Sequence, residues 1–208
     1  MSFIFTTTQP MNEREKLIRR ATSARVNIVF LICLTVVNIA LLFFDSNTYF
    51  LFSASVPFYL IEFAAFFTGS LPASAYYEPM DSYNFYPRGF LWLAIAVAVI
   101  IIALYAVCFF SIASKKKDEN GDEVTTFSTA WIVTATVLFA IDSLAYIGLL
   151  LSTSEFGTSS IIDLLIHIYV IATFIMGAIS AAKLKKLPAV PTENETDVPA
   201  EENEHEKG

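Results

Sequence analysis

Four long apolar runs, almost free of charge, constrain this chain more than anything else in it. About 20 mostly apolar helical residues cross a bilayer core. Residues 26–44, 90–113, 130–151 and 161–182 each reach about that length. The fourth run holds Asp163 and His167 but is otherwise apolar. The runs do not alternate as barrel strands would. A segment in hydrocarbon must satisfy its own backbone, so the runs are expected to be helices. Composition agrees: 16% of the residues are charged and 55% apolar, against roughly 25% charged in soluble domains. That balance excludes a disordered chain, a collagen and a disulfide scaffold. Cys33 and Cys108 lie inside apolar runs and read as small buried residues.

A fifth stretch, 49–67, is long enough to cross but carries Pro57 and Glu62 near its middle. Charge decides its role, because Lys and Arg collect at cytoplasmic ends. With four spans, the inner flanks hold Arg14, Lys16, Arg19, Arg20, Arg25, Lys115, Lys116, Lys117, Lys183, Lys185 and Lys186, eleven in all, and the outer loops hold only Arg88. A fifth crossing would make the count six against six. The expectation is therefore an all-α membrane protein of four antiparallel spans with both termini cytoplasmic. Segment 49–67 then lies on the outer side, either as a helix broken at Pro57 and packed on the bundle or in the interface, or as a re-entrant element.

Residues 1–25 read as a basic cytoplasmic N-terminus, 26–187 as the membrane domain and 188–208 as an acidic tail. Seven of the 20 acidic residues fall in that tail, which is nearly devoid of apolar residues and is expected to be disordered. No small-residue cleavage pattern follows the first run, so it reads as a signal anchor, with Met11 a natural start. Tyr76, Tyr77, Tyr83, Tyr86, Phe90 and Trp92 suggest an aromatic belt on the outer side, and Trp131 marks the inner interface. The inner loop has a tight-turn signal at Asn120-Gly121. Ala94 and Ala98, and Gly177 and Ala181, have the spacing of small residues that lets helices approach closely.

Ionisable groups in hydrocarbon are costly and call for a partner or a purpose. Counting about 1.5 Å per residue from the ends of the runs brings Asn38, Asp142 and His167 to similar depth. Asp163 shares a helix face with His167, Asp142 with Tyr146, and Asn38 with Thr35. A polar cluster of Asn38, Asp142 and His167, closed above by Asp163 and Glu62, follows as the candidate site. It either joins the helices or exchanges a proton, since an Asp–His pair can do so near physiological pH. No metal site or cofactor is expected, because the membrane region has one His. No Gly-x-Ser-x-Gly, phosphate loop or basic nucleic-acid surface is found.

At Asp45 and residues 48–54, and again around Phe139–Ser143 and Ile161–His167, the chain resembles a family of small bacterial four-span membrane proteins with no assigned activity. The resemblance covers about 11–187. It implies a bacterial plasma-membrane protein and gives weight to Asp142, Asp163 and His167, with no substrate or cofactor. The functional expectation is a non-enzymatic accessory, interaction or sensing module, with the lipid bilayer and a membrane-protein partner or second copy as partners and no nucleic acid. A small proton-coupled transporter or channel subunit using Asp142 and His167 is the alternative, and an intramembrane enzyme the third reading.

Overall fold

The computed structural model describes residues 12–44, 48–117, 121, 123–153 and 157–187. The expectations about the tail and about a start at Met11 lie outside the described residues, as does Asn120 of the turn. The chain is an all-α membrane protein with four helices long and apolar enough to cross: α1 (Glu13–Phe43), α3 (Gly89–Ile112), α4 (Thr129–Thr153) and α5 (Thr158–Leu184). The shorter α2 (Ser55–Phe67) lies between α1 and α3 in sequence. The basic stretch Arg14 to Arg25 belongs to the same unbroken helix as the first apolar run.

The bundle is apolar outside and finely packed inside. Large side chains such as Leu93, Phe110, Leu144 and Leu165 point outward, where lipid would meet them. The core joins Ala21, Ala24, Ile28 and Leu31 of α1 to Tyr105 and Cys108 of α3, Ile132 and Phe139 of α4, and Val170 and Phe174 of α5. Cys108 is buried as expected, but Cys33 is exposed, because it lies on the outward face of α1. The backbones of α1 and α5 come close at Gly177: a Cβ there would sit 2.5 Å from that of Ala24. Asn27 donates to Thr173 across the same pair at 2.9 Å. Arg25 does more than mark topology. Its Nε donates to the Phe109 carbonyl in the last turn of α3, where the helix dipole favours a cation, and its guanidinium lies over the Phe109 ring.

The loop between α3 and α4 is a hairpin, which the turn signal alone did not announce. Strand β1 (Ala113–Lys117) pairs antiparallel with β2 (Glu123–Phe127), from Ala113 opposite Phe127 to Lys117 opposite Glu123. Val124, Thr125 and Thr126 are β-branched and suit a strand. Gly121 takes a positive φ of 88° in the connection. A bond from the Ser128 N–H to the Ile112 carbonyl ties the start of α4 to the end of α3.

Segment 49–67 is not a helix broken at Pro57. Residues 48–54 are non-helical, and one continuous helix starts at Ser55, with Pro57 third in it. The first-turn N–H groups have no intrahelical partner, so proline costs little there. The helix ends in a Schellman motif: Gly69, at φ 66°, donates to the Phe66 carbonyl and Ser70 donates to that of Ala65. The aromatic loop then folds over this end. Tyr76 stacks on Phe66 with its hydroxyl on the Phe66 carbonyl, and the Phe85 ring covers Gly69.

Gly177→Ala is expected to destabilise the protein by about 1–3 kcal/mol through overpacking, with Ala24→Gly in the same chain restoring part of the loss. Thermal unfolding in detergent measures both.

Candidate functional site

The site is built where α2 begins. Asp142 lies eleven residues from the end of α4 and His167 nine from the start of α5, so roughly 16 and 13 Å inside the bundle end. Ser55 meets both of them, so residues 48–54 descend into the bundle and α2, about 20 Å long, climbs back out. This is a re-entrant half-helix. Irregular backbone at such depth must be satisfied by protein.

Three buried polar side chains satisfy it. Asn38 forms a two-way bond with Phe50, its Nδ2 donating to the Phe50 carbonyl at 2.8 Å and its Oδ1 accepting from the Phe50 N–H at 2.8 Å. The same Nδ2 donates to the Ser53 hydroxyl at 2.9 Å. Thr35 accepts the Ala54 N–H at 2.7 Å and passes its own proton to the Leu31 carbonyl. Asp142 completes the set. Its Oδ2 accepts the Ser55 N–H at 2.9 Å and its Oδ1 accepts the Val56 N–H at 2.8 Å. A carboxylate from α4 thus caps the first two residues of α2, where the helix dipole favours negative charge. Pro57 follows and has no N–H to satisfy.

His167 stands beside this cap. Its Nε2 is 3.7 Å from Asp142 Oδ2 and 3.3 Å from Ser55 Oγ. Its Nδ1 is 2.9 Å from the Asp163 carbonyl and 3.7 Å from Asp163 Oδ1. A carbonyl only accepts, so Nδ1 carries a proton. In the neutral ring Nε2 then accepts from Ser55 Oγ–H. The ring lies between Phe139 and Tyr146, with centroids 5.0 and 5.2 Å away and planes tilted by 16° in each case. Tyr59 of α2 stacks on the far side of Tyr146. Asp142, Asp163 and His167 are each at most 3% exposed. Asp163 Oδ1 is buried and has no hydrogen-bond partner among the described residues.

The expected cluster is therefore partly assembled. Asp142, Asp163 and His167 come together. Asn38 serves the same segment but bonds to Phe50 and Ser53, five and two residues before Ser55, where the Asp142 cap begins. Glu62 does not close the site: it is seven residues along α2 from Ser55, roughly 10 Å away, and half-buried, which raises its carboxyl pKa. Ser53, Ser55 and the N–H groups of Ala54, Ser55 and Val56 are the participants that sequence reasoning missed. Ser55-Val56-Pro57 carried the signal, since proline belongs in the first turn of a helix. No group of three or more His, Cys, Asp or Glu side chains suited to a metal occurs among the described residues.

Compared with protein-family models, curated proteins and solved structures, the chain matches none. The geometry alone bears on what the site can do. It offers two carboxylates and an imidazole in a dry interior, sharing hydrogen-bonding and charge with the start of a half-helix.

Asp142→Ala leaves two N–H groups without an acceptor and is expected to cost roughly 2–6 kcal/mol, at about 1–3 for each such group. Asn38→Ala is expected to cost roughly 1–3 kcal/mol. Glu62→Gln is expected to leave the melting temperature unchanged. Thermal unfolding of the three variants in one detergent checks this ranking.

Proposed function

We propose that this chain is a non-enzymatic sensing module of a bacterial plasma membrane, in which the proton state of the Asp142–His167–Asp163 cluster sets how firmly α2 is held. One observation carries the reading: the Asp142 carboxylate that caps α2 also faces His167 Nε2 at 3.7 Å. Protonating the imidazole turns Nε2 into a donor directed at Ser55 Oγ and Asp142 Oδ2. The new positive charge sits between two aromatic faces, which favour a cation, and between two carboxylates. Protonating Asp142 acts the other way. It removes the charge from the helix cap and converts one acceptor oxygen into a hydroxyl, loosening the hold on the Ser55 and Val56 N–H groups.

Ser55, His167 and Asp163 also stand in the order of a nucleophile, a base and an orienting acid. Acyl transfer would need the Ser55 and Val56 N–H groups as oxyanion donors. Asp142 already occupies both, and its charge would repel an oxyanion beside it. This supports the non-enzymatic reading. The alternative of a small proton-coupled transporter or channel subunit draws on the half-helix itself, since transporters often bind at half-helix N-termini near the midplane. In that case cysteines placed beside Asp142 and His167 would react with water-borne reagents.

The resemblance in sequence supports the bacterial membrane, and the sorting of basic residues supports cytoplasmic termini. Arg14, Lys116 and Lys185 come from three separate elements and line one cavity at the hairpin end. An accessible tag at Gly121 is expected to be reached only from the cytoplasm; labelling from outside intact cells would reverse the orientation.

The sensing reading is tested by distance measurements between spin labels at Phe63→Cys on α2 and Leu151→Cys on α4, with Cys33→Ser. The distance is expected to shift as pH falls from about 8 to about 5, the range in which His titrates. The shift is expected to vanish in His167→Gln and Asp142→Asn. An unchanged distance in the parent protein across that range would end the proposal.

A further inference from the structure

At the end of the bundle opposite the site, a cavity of about 690 Å³ opens between the start of α1, the hairpin and the end of α5. Three cations from these three elements line it: Arg14, Lys116 and Lys185. They are far apart in sequence, and a bare topology signal requires only that they lie on one side of the bilayer. The fold brings them to a single cavity. Among the described residues one acid, Glu123, also lines it, and its carboxylate is held by Lys115 at 2.8 Å. Ser128, directly before α4, opens onto the same space and adds the positive end of that helix. The floor is different in character, formed by Ile18, Phe127 and Leu184.

We propose that this cavity binds the headgroup of an anionic phospholipid, its phosphate among Arg14, Lys116 and Lys185 and its glycerol and upper acyl carbons against Ile18, Phe127 and Leu184. Basic pockets between spanning helices suit such headgroups. The apolar floor decides for a lipid over free phosphate, which would gain nothing from it. The position decides likewise. The cavity is level with the ends of the spanning helices, and Trp131, three residues beyond Ser128, marks the headgroup layer.

The test uses the full chain in nanodiscs of mixed phosphatidylglycerol and phosphatidylcholine, with the retained lipid read by native mass spectrometry. Phosphatidylglycerol is expected to be retained preferentially. Lys116→Gln with Lys185→Gln is expected to weaken that preference roughly fivefold for each lysine removed. Both lysines are exposed, so their loss leaves the packing intact. Arg88→Gln, at the other end of the bundle, is expected to leave the preference unchanged. Equal retention of the two lipids, or an equal loss in Arg88→Gln, would overturn the proposal. So would displacement of the lipid by millimolar inorganic phosphate, which would assign the cavity to a soluble ligand. A salt titration of the parent protein gives a second reading: the preference is expected to fall as salt rises, and a preference indifferent to salt would also overturn the assignment.

Discussion

The contact on which the rest of the structure depends is the Asp142 carboxylate against the first two N–H groups of α2. Neither partner is tolerable alone in a dry interior. An ionised carboxylate away from water is costly, and an unmet backbone donor costs several kcal/mol in hydrocarbon. Joined, they offset each other. Thr35 and Asn38 do the same for Ala54 and Phe50, and proline removes the need at position 57. The deep polar residues of α1 and α4 therefore share a task, which is to let non-helical chain enter the membrane. A protein-supplied anion also fills the seat that a half-helix would otherwise present to a negatively charged ligand.

In this arrangement one residue could both join helices and serve the proposed sensing. Asp142 is structural because it holds α2, and in the sensing reading proposed above it is also responsive, since His167 Nε2 lies 3.7 Å from the same oxygen. The aromatic sandwich around the imidazole fixes the ring plane and restricts which atoms it can address. With Nδ1 committed to the Asp163 carbonyl, Nε2 is the ring nitrogen that faces the helix cap.

The four spans were legible because hydrocarbon imposes length and apolarity on every crossing helix, and the helices found cover the runs that composition marks to within one residue. The shared depth of Asp142 and His167 was legible because rise per residue is constant. Their contact was not, because it depends on rotation about each helix axis. Pro57 misled for a related reason. Proline ends a helix from within but is welcome in its first turn, and the sequence does not say which until a partner for the preceding N–H groups is known. Glu62 was drawn into the cluster as an ionisable residue of the outer segment expected to lie above it, while its distance along α2 keeps it out. The hairpin was hidden in a short, lysine-rich segment whose register is set by pairing between strands rather than by periodicity within one. Cys33 sits on an outward face that an apolar run, hydrophobic on all sides, does not reveal.

The join between α3 and α4 has a mechanical consequence. Ala113 continues directly from α3 into a paired strand, and Ser128 hydrogen-bonds back to Ile112. The two helices and the hairpin thus form a braced fork rather than two rods on a slack tether. Since α2 leans along α3, a tilt given to that prong near Ser55 would swing the far handle, and Lys116 of the basic cavity with it, without any loop having to unfold.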